Sequence, residues 1–163
     1  MLLKNGKKFF SYLLGNENCQ LNRYKDGNEM PNIVPKLGTF DNSKATNDVD
    51  IAGASYGTPY WQIVIGNGET DVSESDYQLN SLIADSSLSA TCNKTYIDNT
   101  LVLEKTVRNI SSEDITVTEV GFIVFVQMGN NFAHTYLLAR EKLETPIVIA
   151  PNDYYVFTAS FGF

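Results

Sequence analysis

The stretch EDITVTEVGFIVFV, residues 113–126, begins with alternating apolar and polar residues and ends in a run that is almost entirely apolar. Alternation is typical of an antiparallel strand with one face on a core and the other face in water. A strand that is apolar on both faces needs a cover for each of them. The stretch therefore predicts an antiparallel sheet in which something also covers the second face of residues 120–126.

The sequence on both sides of this stretch has the same strand and turn pattern. In TLVLEKTVRN, residues 100–109, Leu101, Leu103 and Val107 fall on one side of the strand, and the other side carries Val102, Glu104, Thr106 and Arg108. The C-terminal segment alternates in the same way, with one face formed by Tyr155, Phe157, Ala159, Phe161 and Phe163. Consecutive strands joined by short turns, without a βα repeat, predict a mainly β fold. We expect an antiparallel β-sandwich, either jelly-roll-like or a small barrel, with one short helix.

The helix is predicted in DVSESDYQLNSLI, residues 71–83. Ser73 is a suitable N-cap, and Asp76 three residues later is a carboxylate variant of the capping box. Leu79, Leu82 and Ile83 would then share one face, so we expect the helix to lie on the sheet.

The chain divides into an N-terminal arm or extended segment, residues 1–55, and an antiparallel β-sandwich domain, residues 56–163. Residues 16–55 are rich in Asn, Asp, Gly and Lys and have few periodic apolar positions. Residues 9–14 before them predict one strand or an anchor segment. The length of 163 residues suits one domain with a substantial core.

Charge and composition exclude several classes of partner. The formal net charge is −7 and the basic residues are scattered, which argues against a nucleic-acid-binding protein. No segment approaches the run of about 18 apolar residues that a membrane span needs, and the N-terminus does not have the pattern of a secretory signal. Cys19 and Cys92 are predicted to be free thiols rather than a disulfide.

The catalytic motifs in the sequence lack their usual context. GASYG, residues 53–57, matches the nucleophile-elbow pattern at Ser55, but Thr58-Pro59 leads into a predicted strand instead of a helix. His134, the sole histidine, would be the base, yet a strand-end histidine bonded to its neighbours is the favoured interpretation. We therefore predict no enzymatic activity, no catalytic residue and no cofactor.

Acidic and aromatic clusters leave two alternatives open. ETDVSESD, residues 69–76, carries four carboxylates, for which a solvated loop is favoured over a calcium site, so no metal is predicted. Tyr56, Tyr60 and Trp61 could stack on a glycan or pack in a core or subunit interface. Glu119 falls within the apolar stretch, so either it is buried and paired or a bulge at Gly121 shifts the register.

Three longer segments resemble a known group of proteins. They are IVIGNGETDVSESDYQLNSLI (residues 63–83), LVLEKTVRNISSEDITVTEVGFIV (residues 101–124) and YLLAREKLETPIVIAPNDYYVFTASFGF (residues 136–163). Their order of glycine-closed strand, Ser-x-Ser-Asp stretch, Ile-Thr-Val-Thr-Glu-Val-Gly strand, Leu-Leu-Ala-Arg strand and terminal aromatic strand is similar to that of structural proteins of tailed bacteriophages. The resemblance implies a virion component of the tail, neck or head fibre that assembles as a trimer or ring with other virion proteins.

This resemblance suggests one cover for the second strand face. An alternate set of apolar residues would contact a neighbouring subunit of a homo-oligomer, and we predict that this set is Val120, Phe122, Val124 and Val126. The competing explanation is that the helix or the N-terminal arm covers that face within one chain. A carbohydrate- or receptor-binding module of a phage tail, using a host glycan as ligand, is the alternative function.

Overall fold

The computed structural model describes residues 1–13, 19–24, 27, 29–33, 60–98, 100–128 and 132–162. These residues form one α-helix and eight β-strands. The elements are, in chain order, α1 (Lys4–Leu13), β1 (Cys19–Asn22), β2 (Glu29–Ile33), β3 (Tyr60–Gly66), β4 (Leu88–Ile97), β5 (Thr100–Asn109), β6 (Ile115–Met128), β7 (Phe132–Ile149) and β8 (Tyr154–Gly162). Within these residues, no helix combines the length and the apolar character that crossing a bilayer requires.

The long strands form two antiparallel sheets. The first sheet has the order β3-β6-β7 and the second sheet the order β4-β5-β8, while β1 and β2 form a separate hairpin. Neither sheet closes into a barrel in the part of the chain described. The structure confirms the predicted mainly β fold, with its two antiparallel sheets arranged consistently with a β-sandwich.

The main core lies between the two sheets. Alternate residues of β5 are buried, from Leu101 to Asn109, as the sequence pattern predicts. On β8, Phe157 is buried, and Ala159 and Phe161 pack against the same core. Lys105 also points inward and is fully buried, where its Nζ donates a hydrogen bond of 2.8 Å to the carbonyl oxygen of Ile63.

A second, smaller core covers the opposite face of the first sheet. Its buried members are Leu3, Tyr24, Val64, Leu79, Ile123 and Leu137. Three of them come from outside the sheets: Leu3 and Tyr24 from the N-terminal region, and Leu79 from the loop before β4. The second face of β6 is therefore covered within the chain around Ile123, where the side chain is 1 % exposed.

The helix predicted in residues 71–83 does not form. Ser73 and Asp76 do make the local contacts, with the Ser73 N–H 2.9 Å from Asp76 Oδ2 and the Asp76 N–H 3.0 Å from the Ser73 carbonyl. Further along, the N–H groups that a helix would use internally are donated elsewhere, Leu79 to the Tyr24 hydroxyl and Ser81 to Glu119. These tertiary hydrogen bonds outweigh the local helix signal.

The one α-helix of the described residues lies at Lys4–Leu13, where a strand or an anchor segment is predicted for residues 9–14. Asn5 and Phe9 are buried on one side, whereas Lys4 and Lys7 are exposed. This spacing is helical, and it begins before the apolar run that dominates the sequence pattern. Phe9 joins the main core, so this part of the N-terminal segment packs on the sandwich.

The β6–β7 pairing shifts register twice, between Val117 and Glu119 and between Phe122 and Ile123. Val117 belongs to the main core, whereas Glu119 faces the loop that precedes β4. The sequence offers a buried, paired Glu119 or a bulge at Gly121 as alternatives. Glu119 is buried and paired, whereas Gly121 keeps its pairing with Arg140, and the register shifts lie on either side of the Glu119–Phe122 segment.

Candidate interaction surface

A recess of about 750 Å³ opens between the two sheets beside β8. Strand β3 packs against β5, and the Phe122 ring of β6 stacks on the Phe161 ring of β8. Strand β7 continues the first sheet beyond β6, and Leu2 pairs with Ala139 on its outer side. The first sheet therefore extends past β8, and the recess occupies the position of a further strand of the second sheet.

The floor of the recess is apolar. Phe122 and Phe161 stack with ring centroids 4.0 Å apart, and Trp61 stacks on the other side of Phe122 at 5.3 Å. Val120 and Ala159, which are partly buried, complete the wall on either side. Residues Thr158–Gly162 of β8 form one rim of the recess. A ligand in it would bury apolar surface and lie along the edge of a β-strand.

The edges of the first sheet are covered by the chain itself. On the outer side of β3, the Ile83 N–H donates to the Ile65 carbonyl at 3.1 Å. On the outer side of β7, the Leu3 N–H donates to the Leu138 carbonyl at 2.9 Å. Such backbone cover prevents unwanted pairing with other strands.

The two edges of the second sheet differ from each other. β4 carries Lys94 on its inward face, and an inward charge protects an edge strand because pairing would bury it. β8 has nine residues and no charged one, and no described strand pairs with its outer side. Of the two edge strands of the second sheet, β4 carries a charged residue on its inward face and β8 carries no charged residue.

Arg140 lies at the recess and is held by a buried network. Its side chain is 2 % exposed, its Nε donates to Glu119 Oε2 at 2.8 Å, and its NH1 donates to Asp76 Oδ2 at 2.7 Å. Its NH2 donates to the carbonyl and the hydroxyl oxygen of Thr70, both at 3.0 Å. Burial lowers the pKa of Arg140, but the hydrogen bonds and charges of Asp76 and Glu119 together raise it above its ordinary value. The guanidinium is therefore charged and fixed.

Glu119, the partner of Arg140, holds the loop that precedes β4. The carboxylate is fully buried and accepts backbone hydrogen bonds from Gly68 at 3.1 Å, Asn80 at 3.1 Å and Ser81 at 2.8 Å. A Cβ atom at Gly68 would collide with Glu119 Oε1, so a glycine is required for this approach. Every oxygen of the carboxylate is used, so the network suits positioning of the loop rather than proton transfer.

Three of the four acidic residues of the 69–76 loop are paired with cations. Asp71 contacts Lys142 at 3.0 Å, Glu74 contacts Lys7, and Asp76 contacts Arg140. Hydrogen bonds from the lysines lower the pKa of Asp71 and of Glu74. Within the described residues, no group of three or more His, Cys, Asp or Glu side chains is arranged to hold a metal ion.

Three of the four residues predicted to form a subunit interface, Val120, Phe122 and Val124, lie on the core side of the first sheet. Phe122 is 3 % exposed and Val124 is fully buried in the main core, where the second sheet of the same chain covers them. Val120 is partly buried and lines the recess. The side chain of Val126 lies outside the described residues. Of the three whose side chains the structure describes, Val120 and the part of Phe122 that lines the recess are near a surface.

The other predicted site residues are not brought together in the described structure. Trp61 is 7 % exposed, between Phe122 and Phe9, so its ring faces are occupied by the core. Ser55 and Tyr56 lie outside the described residues, as do the side chains of Tyr60 and His134. A glycan stacked on Trp61 would have to displace Phe122 or Phe9.

Comparison with protein-family models, with curated proteins and with solved structures gives no match for this chain.

Sequence reasoning identified Glu119 as anomalous but not its partner. Arg140 in YLLAREKL has a comparable signal, because it is a charged residue directly after a run of apolar strand residues. Two opposite charges at such positions in neighbouring strands suggest a buried pair. The uncharged edge could be found only after the strand order placed β8 at the end of a sheet.

Proposed function

We propose that this protein is a non-enzymatic structural component of a tailed-bacteriophage virion, in the tail, neck or head fibre, and that it assembles as a homo-oligomer. The resemblance of residues 63–83, 101–124 and 136–163 to structural proteins of such phages supports the virion location. The buried charged groups support a structural role, since Glu119 and Arg140 are fully used in holding the fold.

The uncharged edge of β8 carries the proposal of assembly. The chain has a net charge of −7, yet the nine residues of this edge strand include no charged one. Tyr154 and Val156 on the same strand are 64 % and 51 % exposed. An edge strand with exposed apolar side chains and no protective charge favours contact with another protein.

The solution mass of the full chain tests the proposal. Light scattering from dilute to concentrated solution should show a defined multimer, with a mass that is a whole multiple of 18.1 kDa. The full chain is required because Leu3, Phe9 and Tyr24 belong to the two cores, so removal of the N-terminal region would disrupt the fold itself. A monomer at every concentration would contradict homo-oligomeric assembly.

The virion location needs a separate measurement. Mass spectrometry of purified phage particles should find the chain in stoichiometric amounts and still find it after salt washes. Detection only in the unassembled fraction of the lysate would contradict a structural place in the particle.

A further inference from the structure

We propose that the recess beside β8 binds a small zwitterion with an apolar group, which is the chemistry of a free aromatic amino acid. The ammonium group of the ligand would contact Glu141, and its carboxylate would contact the amino group of Met1. Its apolar group would lie on the rings of Phe122 and Phe161. All four residues line the recess, so one chain is sufficient to form the site.

Glu141 places a carboxylate on the recess side of the first sheet. It lies directly opposite Val120 on β6, and Ala139, two residues earlier, lies opposite Phe122. Residues directly opposite each other in an antiparallel pair share one face, so Glu141 stands on the same face as the apolar floor. Glu141 is exposed, and within the described residues it takes part in no hydrogen bond or ion pair. Both of its carboxylate oxygens are therefore available to a ligand.

The amino group of Met1 supplies the opposite charge. It donates a hydrogen bond of 2.8 Å to the carbonyl oxygen of Arg140, the residue directly before Glu141. An ammonium group has three N–H donors, so two more can bind a ligand. No ion pair among the described residues joins Met1 to Glu141. The recess therefore presents one positive and one negative group that do not neutralise each other by direct contact.

These two charges select the ligand. The guanidinium of Arg140 is already matched by Glu119 at 2.8 Å and Asp76 at 2.7 Å, so it needs no further anion. A ligand with one ammonium and one carboxylate satisfies Glu141 and Met1 together, whereas a purely apolar ligand would desolvate both without giving either a partner. A zwitterion also has no net charge, so the formal net charge of −7 does not repel it as it repels an anion.

The floor and the volume of the recess set the rest of the ligand. The rings of Phe122 and Phe161 stack with their centroids 4.0 Å apart, and an aromatic ring of a ligand can extend this stack. The volume of about 750 Å³ lies within the range of roughly 300 to 1,000 Å³ that is typical of small-molecule sites. Such sites combine a mostly apolar lining with a few polar groups that orient the ligand.

Three probes with a phenyl group separate the contributions of the two charges. L-phenylalanine carries both charges, phenylethylamine carries only the ammonium, and phenylpropionate carries only the carboxylate. Isothermal titration calorimetry of the full chain should show that L-phenylalanine binds most tightly, by about threefold or more over either of the other probes. This difference is modest because contacts between exposed charges are screened by water.

Glu141→Gln removes the proposed contact with the ammonium group of the ligand. Glu144→Gln is the matched control, since Glu144 is exposed on the same strand, lies outside the recess and carries the same charge. Relative to this control, Glu141→Gln should bind L-phenylalanine and phenylethylamine about threefold or more weakly and phenylpropionate equally well. The two variants have the same net charge, so a difference between them reports the local contact.

Nuclear magnetic resonance spectra of the isotope-labelled chain locate the ligand. On addition of L-phenylalanine, the amide signals of residues 120–122 and 158–162 should shift, and those of β4 should not. This pattern, together with the selective loss in Glu141→Gln, would support the site. Shifts confined to other residues, no binding of L-phenylalanine at millimolar concentration, or equal affinity of the two variants for it would overturn the site. None of these results decides the mass of the chain in solution, so the proposed assembly is tested separately.

Discussion

Arg140 and Glu119 form an ion pair inside the protein, with 2.8 Å between Nε and Oε2 and side-chain exposures of 2 % and 0 %. The pair joins β7 to β6, and both partners also bind the loop that precedes β4, Arg140 through Thr70 and Glu119 through Ser81. Burial of two charges is costly unless their remaining hydrogen-bonding groups are satisfied, as they are here. The pair therefore fixes the loop in place of the helix that its sequence predicts.

Glu119→Gln should lower the free energy of unfolding by about 3 to 5 kcal/mol, because it leaves the charge of Arg140 buried with only Asp76 as a partner. Urea unfolding followed by the fluorescence of Trp61 measures this loss. Glu104→Gln is the control, since Glu104 is exposed on β5, and it should change the stability by less than about 0.5 kcal/mol. Equal small effects of the two substitutions would show that the Glu119–Arg140 pair is accessible to water.

Two glycines of the sheets should respond oppositely to the same change. A Cβ atom at Gly121 would lie 2.8 Å from Leu137 Cδ1 and from Leu79 Cδ2, and 2.9 Å from Val64 Cγ2, whereas one at Gly162 meets nothing within 4 Å. Gly121→Ala should therefore destabilise the protein by about 1 to 3 kcal/mol through overpacking. Gly162→Ala should be neutral or slightly stabilising. Thermal unfolding of both variants checks this, and similar midpoints would contradict the tight packing of the second core.

Tyr24 should make stability fall in alkaline solution. Burial is the main cause that raises the pKa of Tyr24 from 10.0 to about 12, and its hydroxyl accepts a hydrogen bond from the Leu79 N–H at 3.0 Å. A pKa that is higher in the folded state gives a contribution that is complete below pH 10 and is lost as the pH rises towards 12. The stability advantage of wild type over Tyr24→Phe should shrink by about 2 to 3 kcal/mol over this range.

Absorbance of tyrosinate provides the direct measurement of this ionisation. The difference between the titration curves of folded wild type and Tyr24→Phe should have its midpoint near pH 12. A midpoint near 10 would mean that water reaches the Tyr24 hydroxyl. The unfolded proteins should differ by one tyrosine that titrates near 10, which serves as the internal control.

Trp61 should be insensitive to sugars. Its indole lies between Phe122 at 5.3 Å and Phe9 at 5.4 Å, and it is the sole tryptophan of the chain, so its emission reports this site alone. We expect a blue-shifted emission that a panel of mono- and oligosaccharides leaves unchanged, and weak quenching by acrylamide until the protein unfolds. A saccharide-dependent change in emission would support the alternative of a glycan-binding module.

Sequence patterns predicted the strands and several of their buried faces. In β5, Leu101, Leu103 and Val107 alternate with exposed or half-exposed residues, as predicted. On β8 the predicted inward set starts one alternate position too early, because Tyr155 is 39 % exposed and burial begins at Phe157. Both patterns are local, because the side chains of a strand alternate between its two faces. The sequence also indicates that Glu119 is anomalous, because a carboxylate inside an apolar run requires a partner.

Long-range contacts decided what the local patterns could not. Ser73 and Asp76 make the contacts of a helix start, yet Tyr24 and Glu119, distant in sequence, take the N–H groups that the helix would need. Helix α1 packs against β7, and the sequence of α1 does not by itself specify this contact. The pairing of Arg140 with Glu119 depended on a register that shifts twice along β6 and β7.

The sequence by itself determined that this chain folds as antiparallel sheets, because strand periodicity and turn residues act over a few positions. Only the tertiary structure decided that the second face of β6 is covered around Ile123 by Leu3, Tyr24 and Leu79 of the same chain. It also decided that β8 ends its sheet beside an apolar recess. The physical reason is that strand order and the overlap of two sheets depend on contacts between distant segments, which local periodicity does not encode.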